Sequence, residues 1–185
     1  MSWPKRVEDN PAFYNYRSEG GRVLYGEDVY VGYRHYETVK RDVNFAFGYG
    51  LSYTNFELSD LKVEKESGSG GEVDAKVKVT VSVKNTGKLD GAEVVQVYLH
   101  QQTPAVRRPP REMKGFTKVL VKGGGSETAT VDIPLKYAAS YWDEIRGSWI
   151  MEAGEYDVEV VDGSGTQGAL KGSIVVGKTA WWNGL

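Results

Sequence analysis

The most constraining feature of the sequence is a strict alternation of apolar and polar residues over positions 73–83. Aspartate, lysine, threonine and serine separate the apolar members, which are Val73, Ala75, Val77, Val79, Val81 and Val83. A period of two places the two sets on opposite faces of an extended chain, and β-branched valine favours that conformation. Turn-forming residues, Asn85-Thr86-Gly87, follow directly. The segment is therefore predicted to be a strand with one buried face.

Comparable strand patterns recur along most of the chain. Residues 93–100 are mostly apolar, which predicts a central strand covered on both faces. Helical spacing of apolar residues is absent, apart from one short helical turn predicted within residues 134–145. We therefore predict a mainly β fold, an antiparallel β-sandwich of two sheets. Its strands are expected at residues 55–65, 73–83, 93–100, 111–121, 126–135, 147–151, 155–161 and 169–176.

Residues 1–54 follow no such pattern and are dense in tyrosine, glycine and arginine. Aromatic residues at this density usually bury against a neighbour. We predict an irregular, aromatic-rich N-terminal arm that packs on the sandwich or on a missing neighbour. The stretch FGYGLSYTNF, residues 47–56, lies where the irregular pattern gives way to alternation. We interpret it as a seam that divides the chain into residues 1–54 and 55–185.

Composition and charge exclude several classes of function. The formal net charge is −2, so no excess of positive charge attracts nucleic acid or an anionic membrane. The basic pairs Lys5-Arg6 and Arg107-Arg108 are interpreted as solvated surface or interdomain contacts. The sequence has no cysteine, which excludes disulfides and thiolate metal sites and favours a cytoplasmic location over a secreted one. The chain shows neither the apolar core of a secretory signal nor a run of about 20 apolar residues that could span a membrane.

A search for catalytic residues finds no convincing constellation. His35 and His100 lie in different halves of the chain and outside any metal-binding spacing, and no serine lies in a nucleophile elbow. Glycoside hydrolysis needs two carboxylates on opposite sides of a pocket. The candidates are Glu27-Asp28, Asp60 and Asp143-Glu144, and each is interpreted as an ordinary surface or loop residue.

Two other motifs have a structural and a functional interpretation. Gly48 and Gly50 lack the strand–loop–helix context of a phosphate-binding loop, so a turn is preferred. Trp181-Trp182 could stack on sugar rings, but an anchor that holds the C-terminal tail on the sandwich is preferred. Residues 67–71, SGSGG, are predicted to form a flexible hairpin tip.

Six stretches resemble the C-terminal end of glycoside hydrolase family 3 β-glucosidases. Three of them, at residues 3–13, 21–37 and 45–61, are similar to the run that leaves the second, α/β sandwich domain of that family. The other three, at residues 85–101, 108–124 and 154–164, are similar to strands of its fibronectin type III-like domain. The matched blocks cover nearly the whole chain in the order of the family. The resemblance implies an immunoglobulin-like sandwich at residues 55–185 and the tail of the α/β domain at residues 1–54.

The resemblance also implies that the chemistry resides elsewhere. In this family an aspartate nucleophile from a barrel domain and a glutamate acid/base from the α/β domain hydrolyse terminal β-D-glucosyl residues with retention. The nearest match to the nucleophile motif, Ser59-Asp60-Leu61, lacks the tryptophan and lies in the wrong domain. We therefore assign no catalytic, substrate-binding, cofactor-binding or metal-binding residue in this chain and expect no cofactor.

The expected role is structural support of the preceding catalytic domains, which are the predicted partners, and the chain is expected to be inactive alone. On this interpretation it is the last portion of the enzyme, and the loop at residues 101–113 could reach towards the active-site face. The alternative is a free-standing sandwich that binds carbohydrate or protein. Its binding platform would use exposed aromatic residues, namely Tyr98, Tyr141, Trp181 or Trp182.

Overall fold

The computed structural model describes residues 1–163 and 168–184. The N-terminal arm, residues 1–54, contains little regular structure. One 3₁₀ turn spans Val7–Asp9, and the helix α1 spans Tyr33–Thr38. The short strands β1 (Trp3–Pro4) and β2 (Val43–Phe45) pair in antiparallel fashion and return the end of the arm to its beginning.

The remaining strands form the sandwich and follow the predicted pattern closely. Segments 73–83 and 93–100 lie within longer strands, and the helical turn expected within residues 134–145 is the helix α2 (Leu135–Ala139). The strands are β3 (Phe56–Gly68), β4 (Gly71–Asn85), β5 (Gly91–Gln101), β6 (Glu112–Val121), β7 (Ser126–Pro134), β8 (Ser140–Asp143), β9 (Ser148–Met151), β10 (Gly154–Asp162), β11 (Leu170–Val176) and β12 (Ala180–Trp182).

Two antiparallel sheets make up the body of the sandwich. One has the order β3-β4-β7 and the other the order β11-β10-β5-β6, while β12-β9-β8 forms a small third sheet. The valines at 77, 79, 81 and 83 are buried and Val73 is partly buried. They pack in one core with Val95, Val97, Leu99, Val158 and Val160 from the second sheet. The predicted antiparallel sandwich is therefore confirmed, with the core between its two sheets.

The seam at residues 47–56 is a turn followed by an anchored entry into β3. Gly48 has a φ of 87°, and a Cβ there would lie 2.3 Å from Nε2 of Gln96 on β5. Glycine therefore permits both the left-handed conformation and the close approach of the arm to the sheet. Gly50 has open space around it and needs neither property. Phe56 begins β3, as the sequence predicts.

Buried Asn85 fixes the end of the seam on the sandwich. Its side-chain oxygen accepts hydrogen bonds from the Thr54 hydroxyl and, at 3.0 Å, from the Gly87 N–H. Its amide group donates to the carbonyl oxygens of Leu89 at 2.8 Å and Val121 at 3.1 Å. One side chain thus joins the arm, the turn after β4 and the end of β6.

Candidate functional site at the junction of arm and sandwich

The arm covers part of the outer face of the β11-β10-β5-β6 sheet. Tyr98 on β5 points to this face, and its ring lies edge-on to the Tyr33 ring at 5.7 Å. The Tyr98 hydroxyl donates a hydrogen bond to Gln96 Oε1 at 2.6 Å. Burial raises the pKa of Tyr98, so the hydroxyl remains protonated. Residues 93–100 are therefore covered on both faces, as predicted. The core of the sandwich covers the inner face, and the arm covers the outer face.

An ion pair between Arg111 and Glu37 joins α1 to the start of β6. Arg111 Nε and Nη2 donate to the two oxygens of Glu37 at 2.9 and 2.7 Å, and the guanidinium lies 4.5 Å from the centre of the Tyr98 ring. Glu159 on β10 lies 3.5 Å from the remaining terminal nitrogen. Burial on its own lowers the pKa of Arg111, but the hydrogen bonds and charge of Glu37 outweigh it and raise that pKa. This bidentate geometry is the strongest form of such a pair.

A second charged group, which we call the junction cluster, consists of Arg34, Arg108, Glu112 and Lys114. The Glu112 carboxylate lies 2.9 Å from Arg108, 3.0 Å from Lys114 and 3.8 Å from Arg34. Burial lowers the pKa of Lys114, and the positive charges of Arg108 and Arg34 add to that effect against the attraction of Glu112. The cluster therefore concentrates three positive charges around one carboxylate.

The loop at residues 101–113 packs on the arm. Arg107 places its guanidinium 5.4 Å from the centre of the Tyr30 ring. The Met113 N–H donates to the Tyr33 hydroxyl at 2.8 Å. Arg107 thus contacts the arm, whereas Arg108 contacts Glu112, Gln101 and Ala139 within the sandwich. An interdomain role for this pair remains a prediction. The expected approach of this loop to an active-site face remains a prediction.

A cleft of about 300 Å³ lies between the arm and Arg107. It is lined by Glu27, Tyr30 and His35 among others, and the Glu27 Oε2 and Tyr30 hydroxyl atoms are buried without a hydrogen-bond partner. Burial, followed by the charge of Arg41, lowers the pKa of His35, so the imidazole is neutral near pH 7. In the described part of the cleft lining, Glu27 is the one carboxylate, and hydrolysis of a glycosidic bond requires two.

The structure separates the other candidate carboxylates. Asp60 lies at an irregularity of β3 with a φ of 53° and accepts a hydrogen bond from its neighbour Ser59. Asp143 caps the turn after β8, because its Oδ1 accepts the N–H groups of Ile145 and Arg146 at 3.0 and 3.3 Å. Each has a local structural role, and these two lie on different strands. His100 lies on β5, away from the cleft that contains His35.

The tryptophans near the C-terminus pack mainly on one another. Trp142, Trp149 and Trp182 occupy one row across β8, β9 and β12. Trp149 and Trp182 stack at 5.7 Å, and the Trp182 indole N–H donates to Ser140 Oγ at 2.9 Å. Trp181 packs against the guanidinium of Arg146 at 4.0 Å. These contacts attach the C-terminal strand to the body and occupy ring faces that a sugar platform would need.

The arm also presents a large apolar surface that the sandwich leaves open. Three of its tyrosines are largely exposed: Tyr14 is 89% exposed, Tyr25 is 81% exposed, and Tyr53 in the seam is 98% exposed. Other exposed apolar side chains of the arm are Phe13, Tyr16, Leu24, Tyr49 and Leu51. Large apolar groups exposed in this number are typical of interaction surfaces.

Residues 1–163 and 168–184 contain neither a cluster of metal ligands nor a helix that could span a membrane. No three histidine, aspartate or glutamate side chains come close enough to one another there to hold a metal ion. Among the helices of the same ranges, none has the length and apolar character needed to cross a membrane.

Comparison with known proteins gives consistent matches. Residues 93–164 match the family model described as the fibronectin type III-like domain. The chain is 48% identical over 189 residues to the probable beta-glucosidase I of Aspergillus fumigatus, covering 100% of this chain and 22% of that protein. It is 48% identical over 188 residues to the beta-glucosidase of Kluyveromyces marxianus, covering 100% of this chain and 21% of the relative.

Solved structures agree with the sequence relatives. The crystal structure of the Kluyveromyces marxianus beta-glucosidase in complex with glucose superimposes with a TM-score of 0.88 at 48% identity, covering 100% of this chain and 21% of that one. The structure of beta-glucosidase 3B from Thermotoga neapolitana in complex with glucose superimposes with a TM-score of 0.84 at 36% identity, covering 100% of this chain and 25% of that one. The chain therefore spans about a fifth to a quarter of the length of the proteins it matches.

Proposed function

Because this chain corresponds in sequence and fold to the C-terminal portion of glycoside hydrolase family 3 β-glucosidases, we propose that it stabilises and orients the catalytic domains of such an enzyme. The arm, residues 1–54, is the tail of the preceding α/β domain and its linker. Residues 55–185 are the fibronectin type III-like domain. The reaction of the whole enzyme is the hydrolysis of terminal β-D-glucosyl residues with retention.

The observation that carries this proposal is the difference between the two sides of the arm: one packs on the sandwich and the other exposes aromatic residues. Its inner side is tied to the sandwich by the Arg111–Glu37 pair and by Tyr33. Its outer side exposes Tyr14, Tyr25 and Tyr53. An arm that is held firmly on the sandwich and exposes aromatic rings to solvent is suited to attach the sandwich to a neighbouring domain. Active sites assembled between domains lose rate when groups move by about 1 Å.

The catalytic carboxylates come from the preceding domains, and residues 1–185 alone do not hydrolyse β-glucosides. The described carboxylates support this part of the proposal, since Glu27, Asp60 and Asp143 lie apart and each has a local environment of its own. The domains upstream of the arm are the proposed partner, and the β-glucoside substrate reaches this chain only through them.

The test uses the Kluyveromyces marxianus β-glucosidase. Two proteins are made from it: a truncated enzyme lacking the segment that matches residues 55–185, and a chimera in which this whole chain replaces the matching C-terminal segment. We expect the truncated enzyme to be insoluble or to melt at least about 5 °C below the intact enzyme. The chimera is expected to recover both solubility and activity. A truncated enzyme with unchanged thermal midpoint and activity would refute the supporting role.

A further inference from the structure

The junction cluster has an imbalance of charge that the described residues do not correct. Arg34, Arg108 and Lys114 surround Glu112, and in residues 1–163 and 168–184 no second carboxylate forms an ion pair with any of them. The Lys114 and Glu112 side chains are only 13% and 14% exposed. Charges removed from water to this extent need partners of opposite sign.

The three cations differ in how many of their hydrogen-bond donors are used. Arg108 uses four of its five N–H groups, two toward Glu112 and one each toward Gln101 and the Ala139 carbonyl oxygen. Lys114 donates once, to Glu112 Oε2 at 3.0 Å, although an ammonium has three donors. Arg34 lies 3.8 Å from the same oxygen, beyond hydrogen-bond distance, and its side chain is 30% exposed. Lys114 and Arg34 therefore present free donors beside one oxygen atom, on the side of the arm.

We propose that Arg34 and Lys114 form a receptor for a carboxylate, supplied by an acidic side chain of the domains that precede this chain. A planar guanidinium beside an ammonium matches the two oxygens of a carboxylate in shape and charge. A second carboxylate brings the negative charges of the cluster to two against three positive charges. Arg34 lies on α1 in the arm, and this chain covers 22% of the relative from Aspergillus fumigatus. On the proposed function, the arm is the part that adjoins the remaining domains.

This inference rests on the proposed supporting role and names the chemistry of one contact in it. The test compares the Arg34→Gln substitution in the isolated chain and in the chimera. Among the described residues the Arg34 side chain donates no hydrogen bond, and its ion pair with Glu112 at 3.8 Å is offset by repulsion from Arg108 and Lys114. Its removal should therefore leave the thermal midpoint of the isolated chain within about 1 °C or raise it. In the chimera the same change should lower the midpoint by about 2–4 °C. The control is Lys118→Gln, which changes an exposed lysine on β6, the strand that contains Lys114. It should leave the thermal midpoint of both proteins unchanged.

A second measurement on the isolated chain uses acetate as the probe, at constant ionic strength with chloride as the replaced anion. Saturable stabilisation of the wild-type chain by acetate, lost in Arg34→Gln and retained in Lys118→Gln, is the expected result. Equal shifts from Arg34→Gln in both proteins, or an acetate effect that Arg34→Gln does not reduce, would overturn the receptor. If instead the wild-type chimera is no more stable than the truncated enzyme, the supporting role itself fails. If the chimera does not fold, the acetate measurement alone decides the receptor.

Discussion

The guanidinium of Arg111 forms two hydrogen bonds with the carboxylate of Glu37, although the residues are 74 positions apart. Glu37 belongs to the arm and Arg111 to the entry of β6, so this pair holds the two parts of the chain together. The Tyr98 ring lies against the guanidinium and excludes water from one side of the pair. The arm from α1 to the seam is therefore part of the folded unit formed by the sandwich.

Removal of this pair should loosen the arm. We expect Arg111→Gln and Glu37→Gln each to lower the free energy of unfolding by about 1–3 kcal/mol, because each leaves a partly buried charge without its partner. In a double-mutant cycle followed by urea denaturation, the coupling energy should be at least about 1 kcal/mol. Glu19→Gln, at an exposed turn of the arm, is the matched control. Additive effects of the two substitutions would mean that the pair contributes nothing.

Asn85 should be among the most sensitive positions of the chain. Asn85→Ala removes four hydrogen bonds in a fully buried setting and leaves the Leu89 and Val121 carbonyl oxygens without their donor. We expect a loss of about 2–4 kcal/mol in the free energy of unfolding. Asn44→Ala removes one exposed hydrogen bond, to the Pro4 carbonyl oxygen, and should cost less than about 1 kcal/mol. Similar urea midpoints for the two variants would contradict the role of Asn85.

The contribution of Glu112 should depend on pH. Burial on its own raises the pKa of Glu112, but the charges of Lys114 and Arg108 outweigh it and hold that pKa below its ordinary value. A carboxyl group with a depressed folded-state pKa adds stability above its unfolded pKa of about 4.3, and this stability is lost as the pH falls through the folded-state value. Glu112→Gln should therefore destabilise the chain by about 2–4 kcal/mol near pH 7.

The same substitution should matter less in acid. Thermal unfolding of wild type and Glu112→Gln is to be compared across pH 7 to 3, with the exposed Glu57→Gln as the control. We expect the difference in midpoint to shrink as the pH falls below about 4. A difference that stays constant over this range would show that the ionised carboxylate is not the stabilising group.

The outer face of the arm should affect stability only in the longer protein. Tyr14 and Tyr25 are almost fully exposed in this chain, so Tyr14→Ser and Tyr25→Ser should change its thermal midpoint by less than about 1 °C. In the chimera, where we expect these rings to be buried, each change should lower the midpoint by several degrees. A null result in both proteins would place the interface elsewhere on the surface.

The sandwich could be predicted from the sequence because apolar and polar residues alternate within single strands. This pattern can be recognised without knowing which strands pair. The valines at 77, 79, 81 and 83 are all buried, and the period of two indicates this without knowledge of their partners. The short helix α2 and the hairpin turn between β3 and β4, predicted at residues 67–71, are also local features. In the small sheet, β9 is predicted at residues 147–151. Its neighbours β8 and β12 have four and three residues, too few for alternation to reveal.

The junction could not be predicted in the same way, because it depends on pairs far apart in the sequence. Nothing local distinguishes Glu37 from other acidic residues, and its partner Arg111 follows a proline pair in a loop. Asn85 gives a turn signal, which is correct but does not reveal the buried hydrogen bonds to Thr54 and Val121. The density of aromatic residues in the arm and the basic pair at 107–108 indicate a contact between parts of the chain, but not which residues form it.

The most direct test of the central claim is the rate of aryl β-glucoside hydrolysis by the isolated chain, measured beside the chimera at equal molar concentration. We predict that the chimera hydrolyses the substrate and that the isolated chain gives the rate of buffer alone, because we propose that the catalytic carboxylates come from the preceding domains. Turnover by the isolated chain that persists through repurification and increases in proportion to its concentration would contradict this claim.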